Sequence, residues 1–218
     1  MGDHTLYLLP GVATDRRVYR KLDLQGRPYK FLDWEEPLKG ESISQYARRM
    51  ADRIDPHTNP ILVGYSFGGM VSIEMAKHIR PAATIILASI KHYHERPFQM
   101  WFTSSLRLNK AIPTSFGKRV RPVYSWLNEP RTREERRFIK TMARALCHRH
   151  TDWAVDQALQ WRNADNIPRV HHIHGTRDRI FPIRYIRRCK PIQGGSHLML
   201  LNKAPEISEH ILRIVDKA

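Results

Sequence analysis

Gly64-Tyr65-Ser66-Phe67-Gly68-Gly69 sets a serine between glycines two residues before and two residues after it. The apolar run Ile61-Leu62-Val63 leads into it, and Met70, Val71, Ile73, Met75 and Ile79 follow at helical spacing as far as Pro81. A serine on so sharp a strand-to-helix turn stands exposed, and the small residues let strand and helix approach closely. Its Oγ then lies near a helix N-terminus, where amide N–H groups and the helix dipole favour developing negative charge. The chemistry this suits is nucleophilic attack by Ser66. The competing reading is a glycine-rich turn that happens to contain a serine.

A serine hydroxyl is a poor nucleophile until a base takes its proton. Of the twelve histidines, His197 in Gly194-Gly195-Ser196-His197 is the candidate base, because it follows the last strand and precedes the last helix. That base needs a carboxylate to fix its tautomer and stabilise the imidazolium. Asp178, in His174-Gly175-Thr176-Arg177-Asp178, follows the preceding strand and falls on the same sheet edge. A surface-loop histidine and an aspartate paired only with Arg177 or Arg179 are the bland alternatives. Two N–H donors for an oxyanion complete the set. Phe67, next to the nucleophile, offers one, and the loop Pro10-Gly11-Val12-Ala13 offers the other through Val12, with Gly11 keeping that loop compact.

Positioning these groups on one edge requires a parallel sheet. Leu6–Leu9, Tyr29–Leu32, Ile61–Val63 and Thr84–Ala88 read as strands, with helical spacing over 15–24, from Ser42 (a plausible N-cap) to 54, and after Ser66. Continuous apolar strands alternating with helices indicate a parallel sheet covered on both faces. From 91 to 163 strand signals vanish and aromatics become dense. Helices are expected near 98–108, 132–146 and 152–161, with Asp152 in the first turn of the last. This stretch reads as a helical cap inserted into a core formed by 1–90 and 164–218. Strands resume at Val170–His174 and Lys190–Ile192, with a short helix from Pro182 to Arg188 and a final one from Pro205.

The chain resembles the α/β-hydrolase superfamily over nearly its whole length. The stretch from Gly64 to Gly69 matches the nucleophile elbow, Ile173 to Arg179 the acid loop, and Gly194 to Leu198 the histidine loop with Ser196 interposed. The order Ser66, Asp178, His197 is the family's order. The resemblance implies a three-layer α/β/α sandwich with a mostly parallel sheet. Because the first strand nearly coincides with the chain start, about six strands are expected instead of eight.

What remains is less specific. Gly11, Tyr65, Trp101 and Trp126 are expected to line a substrate pocket, although Trp101, Trp126 and Trp153 would equally serve to pack cap helices together. The close pairs His92/His94 and His148/His150, and His171, His172 and His174 on one strand, lack Cys or carboxylate partners at ligand spacing. No metal site and no cofactor are expected. Two distant cysteines, Cys147 and Cys189, and the want of a secretory signal or membrane-spanning run suggest a cytoplasmic protein. The formal net charge of +16 would draw anions, but the arginines are scattered, and no nucleic-acid-binding pattern accompanies them. Arg119, Arg121, Arg131 and Arg133 raise the option of an anionic substrate. Together these features point to hydrolysis of a small ester or thioester through an acyl-serine intermediate. A lyase on the same scaffold is the alternative, and a silent ligand-binding protein a more distant one. Oligomeric state is not legible.

Overall fold

The computed structural model describes residues 4–98, 100, 130, 132–144 and 147–218. Six strands form one sheet: β1 (Leu6–Leu9), β2 (Tyr29–Phe31), β3 (Ile61–Tyr65), β4 (Ala83–Leu87), β5 (Val170–Gly175) and β6 (Lys190–Ile192). Their order is β2-β1-β3-β4-β5-β6, and every neighbouring pair is parallel. The expected α/β sandwich is the fold observed.

Side-chain alternation builds the three layers. Leu6, Leu8, Ile61, Val63, Ile85 and Leu87 face one core, which α5 (Met199–Asn202) and α6 (Ala204–Val215) cover. Tyr7, Leu9, Leu62 and Ile86 face the other, beneath α1 (Ile43–Ala51) and α2 (Phe67–Ile79). With both faces covered, the strands have no polar side to show, which is why they read as unbroken apolar runs. Helix α1 begins where expected. Ser42 accepts from the Gln45 N–H, and the Gln45 side chain accepts from the Ser42 N–H in return.

Two helices follow the undescribed stretch. Phe138, Ile139 and Met142 of α3 (Arg133–Arg144) join the first core, and Ala154, Ala158 and Trp161 beside α4 (His148–Gln160) join the second. The α4 region is pinned by indoles: Trp153 Nε1 donates to Glu41 O at 2.7 Å, and Trp161 Nε1 to the buried Glu74 carboxylate on α2 at 2.7 Å.

Some local expectations differ. The helix expected over 15–24 is only a 3-10 turn, Arg16–Tyr19, and the chain turns towards β2 at Gln25 and Gly26, both with positive φ. The helix expected over 182–188 likewise shrinks to one turn, Ile183–Tyr185. Asp152 lies in the second turn of α4 and not its first, since that helix already starts at His148. Most of the expected helix at 98–108 lies outside the described residues. No helix among the described residues is long and apolar enough to cross a membrane.

Ser42→Ala is expected to cost about 1 kcal/mol of unfolding free energy by removing one half of the cap, read from denaturant titration.

Candidate active site

Strand β1 leads to β2 on one side, and the chain then crosses to β3 on the other, so the sheet order reverses between β1 and β3. In sheets of this kind that reversal is the place, beyond the carboxyl ends of the strands, where a binding crevice forms. The loops leaving β1 and β3 meet there. Gly68 is a position without room for a side chain: a Cβ there would lie 2.2 Å from Pro10 O. A Cβ on Gly64 would lie 2.3 Å from Gly68 O. Both glycines are therefore steric requirements of the turn that carries Ser66.

Ser66 itself has φ 54° and ψ −120°, a conformation that costs an L-residue on the order of 1–3 kcal/mol. Backbone bonds hold it there. Its N–H donates to Leu87 O at 2.9 Å, and its carbonyl accepts from Gly69 N at 2.9 Å and Ser89 Oγ at 2.6 Å.

His197 Nε2 stands 3.0 Å from Ser66 Oγ, and His197 Nδ1 stands 2.8 Å from Asp178 Oδ2. The carboxylate leaves Nδ1 as the donor, so Nε2 is free to accept the serine proton. The other Asp178 oxygen accepts from the N–H groups of Ile180 (2.8 Å) and Phe181 (2.9 Å). All three side chains are buried. Ser196 does not prevent this reach: its carbonyl accepts from Met199 N and its Oγ from Leu198 N, which folds the extra residue into the start of α5. The sequence thus named three residues that the structure brings into one hydrogen-bonded line.

Gly11 packs on the nucleophile; a Cβ there would meet Ser66 Cβ at 3.1 Å. Its carbonyl accepts from Trp34 Nε1 at 3.1 Å and Thr14 Oγ1 at 3.0 Å. The Val12 N–H belongs to the same peptide plane and points the opposite way from that carbonyl. Phe67 is the first residue of α2, so its N–H has no intrahelical acceptor. Among the described residues neither N–H has a hydrogen-bond partner. Trp34 went unmarked in the sequence, because nothing in its spacing shows that the chain after β2 folds back over the β1 loop; Thr14, also unmarked, bonds Gly11 within the loop itself.

Tyr65 is buried, and its hydroxyl donates to the carbonyl of His197 at 3.0 Å. Trp153 packs on Tyr46 (ring centroids 4.6 Å apart) and Phe67 (5.8 Å). Trp101, Trp126, Arg119, Arg121 and Arg131 lie outside the described residues; Arg133 opens α3 on an exposed face.

A cavity of about 600 Å³ borders the β1 loop, lined in part by Pro10, Ala13, Trp34, Met142 and His150. His150 is 5% exposed, packs against Trp34 with the rings tilted by 31°, and its Nε2 has no hydrogen-bond partner among the described residues. Burial pushes its pKa down to about 4. His172 and His174, on one face of β5, bond to each other at 3.1 Å. No group of three metal-ligating side chains occurs among the described residues.

The family model described as the alpha/beta hydrolase family matches residues 4–208. No curated protein matches the sequence. Among solved structures, the chain is similar to MenH from S. aureus, at 15% identity and TM-score 0.74, covering 100% of this chain and 95% of that one. It is also similar to a bromoperoxidase from Bacillus anthracis (15%, TM-score 0.73, 97% and 91% covered). A third is YbtT, a type II thioesterase of the yersiniabactin pathway (16%, TM-score 0.66, 97% and 92%).

Two predictions follow from this geometry. Gly68→Ala is expected to destabilise the protein by about 1–3 kcal/mol, since a methyl group must displace the Pro10 backbone, and denaturant titration reads it. His150, with its pKa lowered in the fold, contributes stability that is present above its unfolded pKa near 6.5 and is lost as pH falls towards about 4. The stability of wild type relative to His150→Phe should fall by roughly 2 kcal/mol between about pH 7 and about pH 5.

Proposed function

We propose that this chain, which belongs to the alpha/beta hydrolase family, hydrolyses a small ester or thioester by way of an acyl group carried on Ser66. The observation that carries the reading is the buried line Ser66 Oγ–His197–Asp178, with contacts of 3.0 and 2.8 Å, standing on a strained turn.

The chemistry follows from the atoms. As Ser66 Oγ bonds to the substrate carbonyl carbon, His197 Nε2 takes the hydroxyl proton, and Asp178 stabilises the imidazolium through Nδ1–H. The carbonyl electron pair moves to oxygen, where the N–H groups of Val12 and Phe67 receive it. When the tetrahedral species collapses, the bond to the leaving alkoxide or thiolate breaks and His197 returns its proton to that group. Water then adds to the acyl carbon, giving a proton to His197. The second collapse releases the acid and restores the Ser66 hydroxyl.

Strain at Ser66 aids this sequence because the nucleophile needs no rearrangement to present Oγ. In this reading residues 91–163 form a cap over the crevice, and the cavity beside the β1 loop takes part of the substrate. The same family resemblance allows a lyase that uses Ser66 and His197 only to relay a proton, and such an enzyme would form no acyl-serine.

A fluorophosphonate probe is expected to label wild type at Ser66, with intact-mass detection of one adduct. Ser66→Ala should lose the label and about 10⁴-fold or more of p-nitrophenyl acetate turnover. Undiminished turnover in that variant would remove the proposal, and a mass-trapped acyl-enzyme would count against the lyase reading.

A further inference from the structure

Beneath the acid loop lie groups that the chemistry above does not use. His172 and His174 are 4% and 0% exposed, two residues apart on β5 and so on the same face. Lys91 Nζ lies 3.3 Å from His172 Nδ1 and 2.9 Å from the buried Glu95 carboxylate. His172 Nε2 lies 3.1 Å from His174 Nδ1, and His174 Nε2 lies 2.7 Å from Phe181 O.

The ends of this chain decide the protons within it. An ammonium only donates and a carbonyl only accepts. His172 Nδ1 must therefore be bare, its Nε2 carries the hydrogen, His174 Nδ1 accepts it, and His174 Nε2–H donates to Phe181 O. From these two ends the direction runs from Lys91 to His172 to His174 to the Phe181 carbonyl, with the Ser89 backbone a further hydrogen-bond partner of the His172 ring. Phe181 is also the residue whose N–H donates to Asp178 Oδ1 at 2.9 Å. The peptide planes on either side of Phe181 thus tie the imidazole pair to the carboxylate that holds His197.

We propose that His172 and His174 are positioning residues of this site, an imidazole pair keyed by Lys91 that fixes the Asp178–Phe181 loop and thereby the His197 ring. This inference rests on the hydrolase reading, and it gives work to residues whose sequence spacing suggested only a failed metal site. The pair functions while both rings are neutral. Protonating His174 would set its Nδ1–H against the His172 Nε2–H and break the 3.1 Å bond, and protonating His172 would set its Nδ1–H against the Lys91 ammonium. The charged and titratable groups facing the pair are Lys91 and Glu95 on the segment leaving β4, Asp178 on the acid loop and His197 beyond it. Burial favours the neutral forms of both imidazoles; Lys91 adds to that effect at His172, while the Asp178 carboxylate, 3.7 Å from His174 Nε2, opposes it at His174 without reversing it.

The test compares wild type with His174→Phe, which keeps a ring and loses both bonds, and His174→Gln, whose amide N–H can still reach Phe181 O. Folding of each is checked by circular dichroism. With p-nitrophenyl acetate, kcat should fall roughly 10- to 100-fold in His174→Phe with KM within about two-fold, and recover in large part in His174→Gln. Lys91→Met should move the acid limb of the kcat–pH profile to higher pH, because the charge that opposes protonation of the pair is gone. If His174→Phe does not fold, the Gln and Met variants decide the matter. Nitrogen-15 NMR of wild type should place the His174 hydrogen on Nε2, a readout that stands apart from turnover. Wild-type kcat and pH profile in folded His174→Phe, or the hydrogen on Nδ1, would overturn the inference. A wild type that neither turns over ester nor reacts with fluorophosphonate would defeat the hydrolase reading instead, leaving the NMR result to judge the hydrogen-bond chain.

Discussion

The site depends on a contact made without a side chain. The α-carbon of Gly68 stands against Pro10 O, in a space that no Cβ can enter. That approach brings the loop after β1 onto the turn after β3, and nearly everything near Ser66 follows from it. Gly11 comes against the serine, the Gly11 carbonyl turns to Trp34, and the Val12 N–H faces the other way. Any side chain at position 68 would push the two loops apart. The turn after β3 is tight because the chain returns to β4 through α2 on the sheet face, leaving only a corner at the edge.

The polar groups at this edge are close to fully committed. Asp178 divides its two oxygens between His197 and two backbone N–H groups. The carbonyl of the strained serine has two donors, and Glu95 accepts from Lys91 and from the Arg187 N–H. A buried polar group without a partner costs about 1–3 kcal/mol, so each such pairing helps to hold the fold as well as the chemistry. His150 is the exception near the cavity, with a ring nitrogen that no described residue satisfies.

What the sequence disclosed, and what it did not, follows from the range of the forces involved. Strand β3 and helix α2 were legible because apolar runs and period-four spacing are local signals, and glycine marks close approach. Ser66, Asp178 and His197 were legible because their places in the chain, each after a strand, imply one edge. The 3-10 turn at Arg16–Tyr19 was not, since loose helical spacing over 15–24 does not mark where a helix stops. Trp34 escaped because its bond to Gly11 arises only when the chain after β2 returns over β1. The β5 histidines were seen but not understood: alternation placed His172 and His174 on one face, while Lys91, which orients their hydrogens, lies 81 positions from His172 in the chain.

The hydroxyl of Tyr65 has a consequence for how the machine keeps its tolerances. Ser66 leaves the sheet from β3, whereas His197 arrives after β6, three strands away, so small errors of strand spacing would accumulate between them. Tyr65 is the neighbour of Ser66, and it grips the backbone of His197 directly. The distance between nucleophile and base is thereby gauged by one rigid aromatic ring rather than by the sum of three strand spacings.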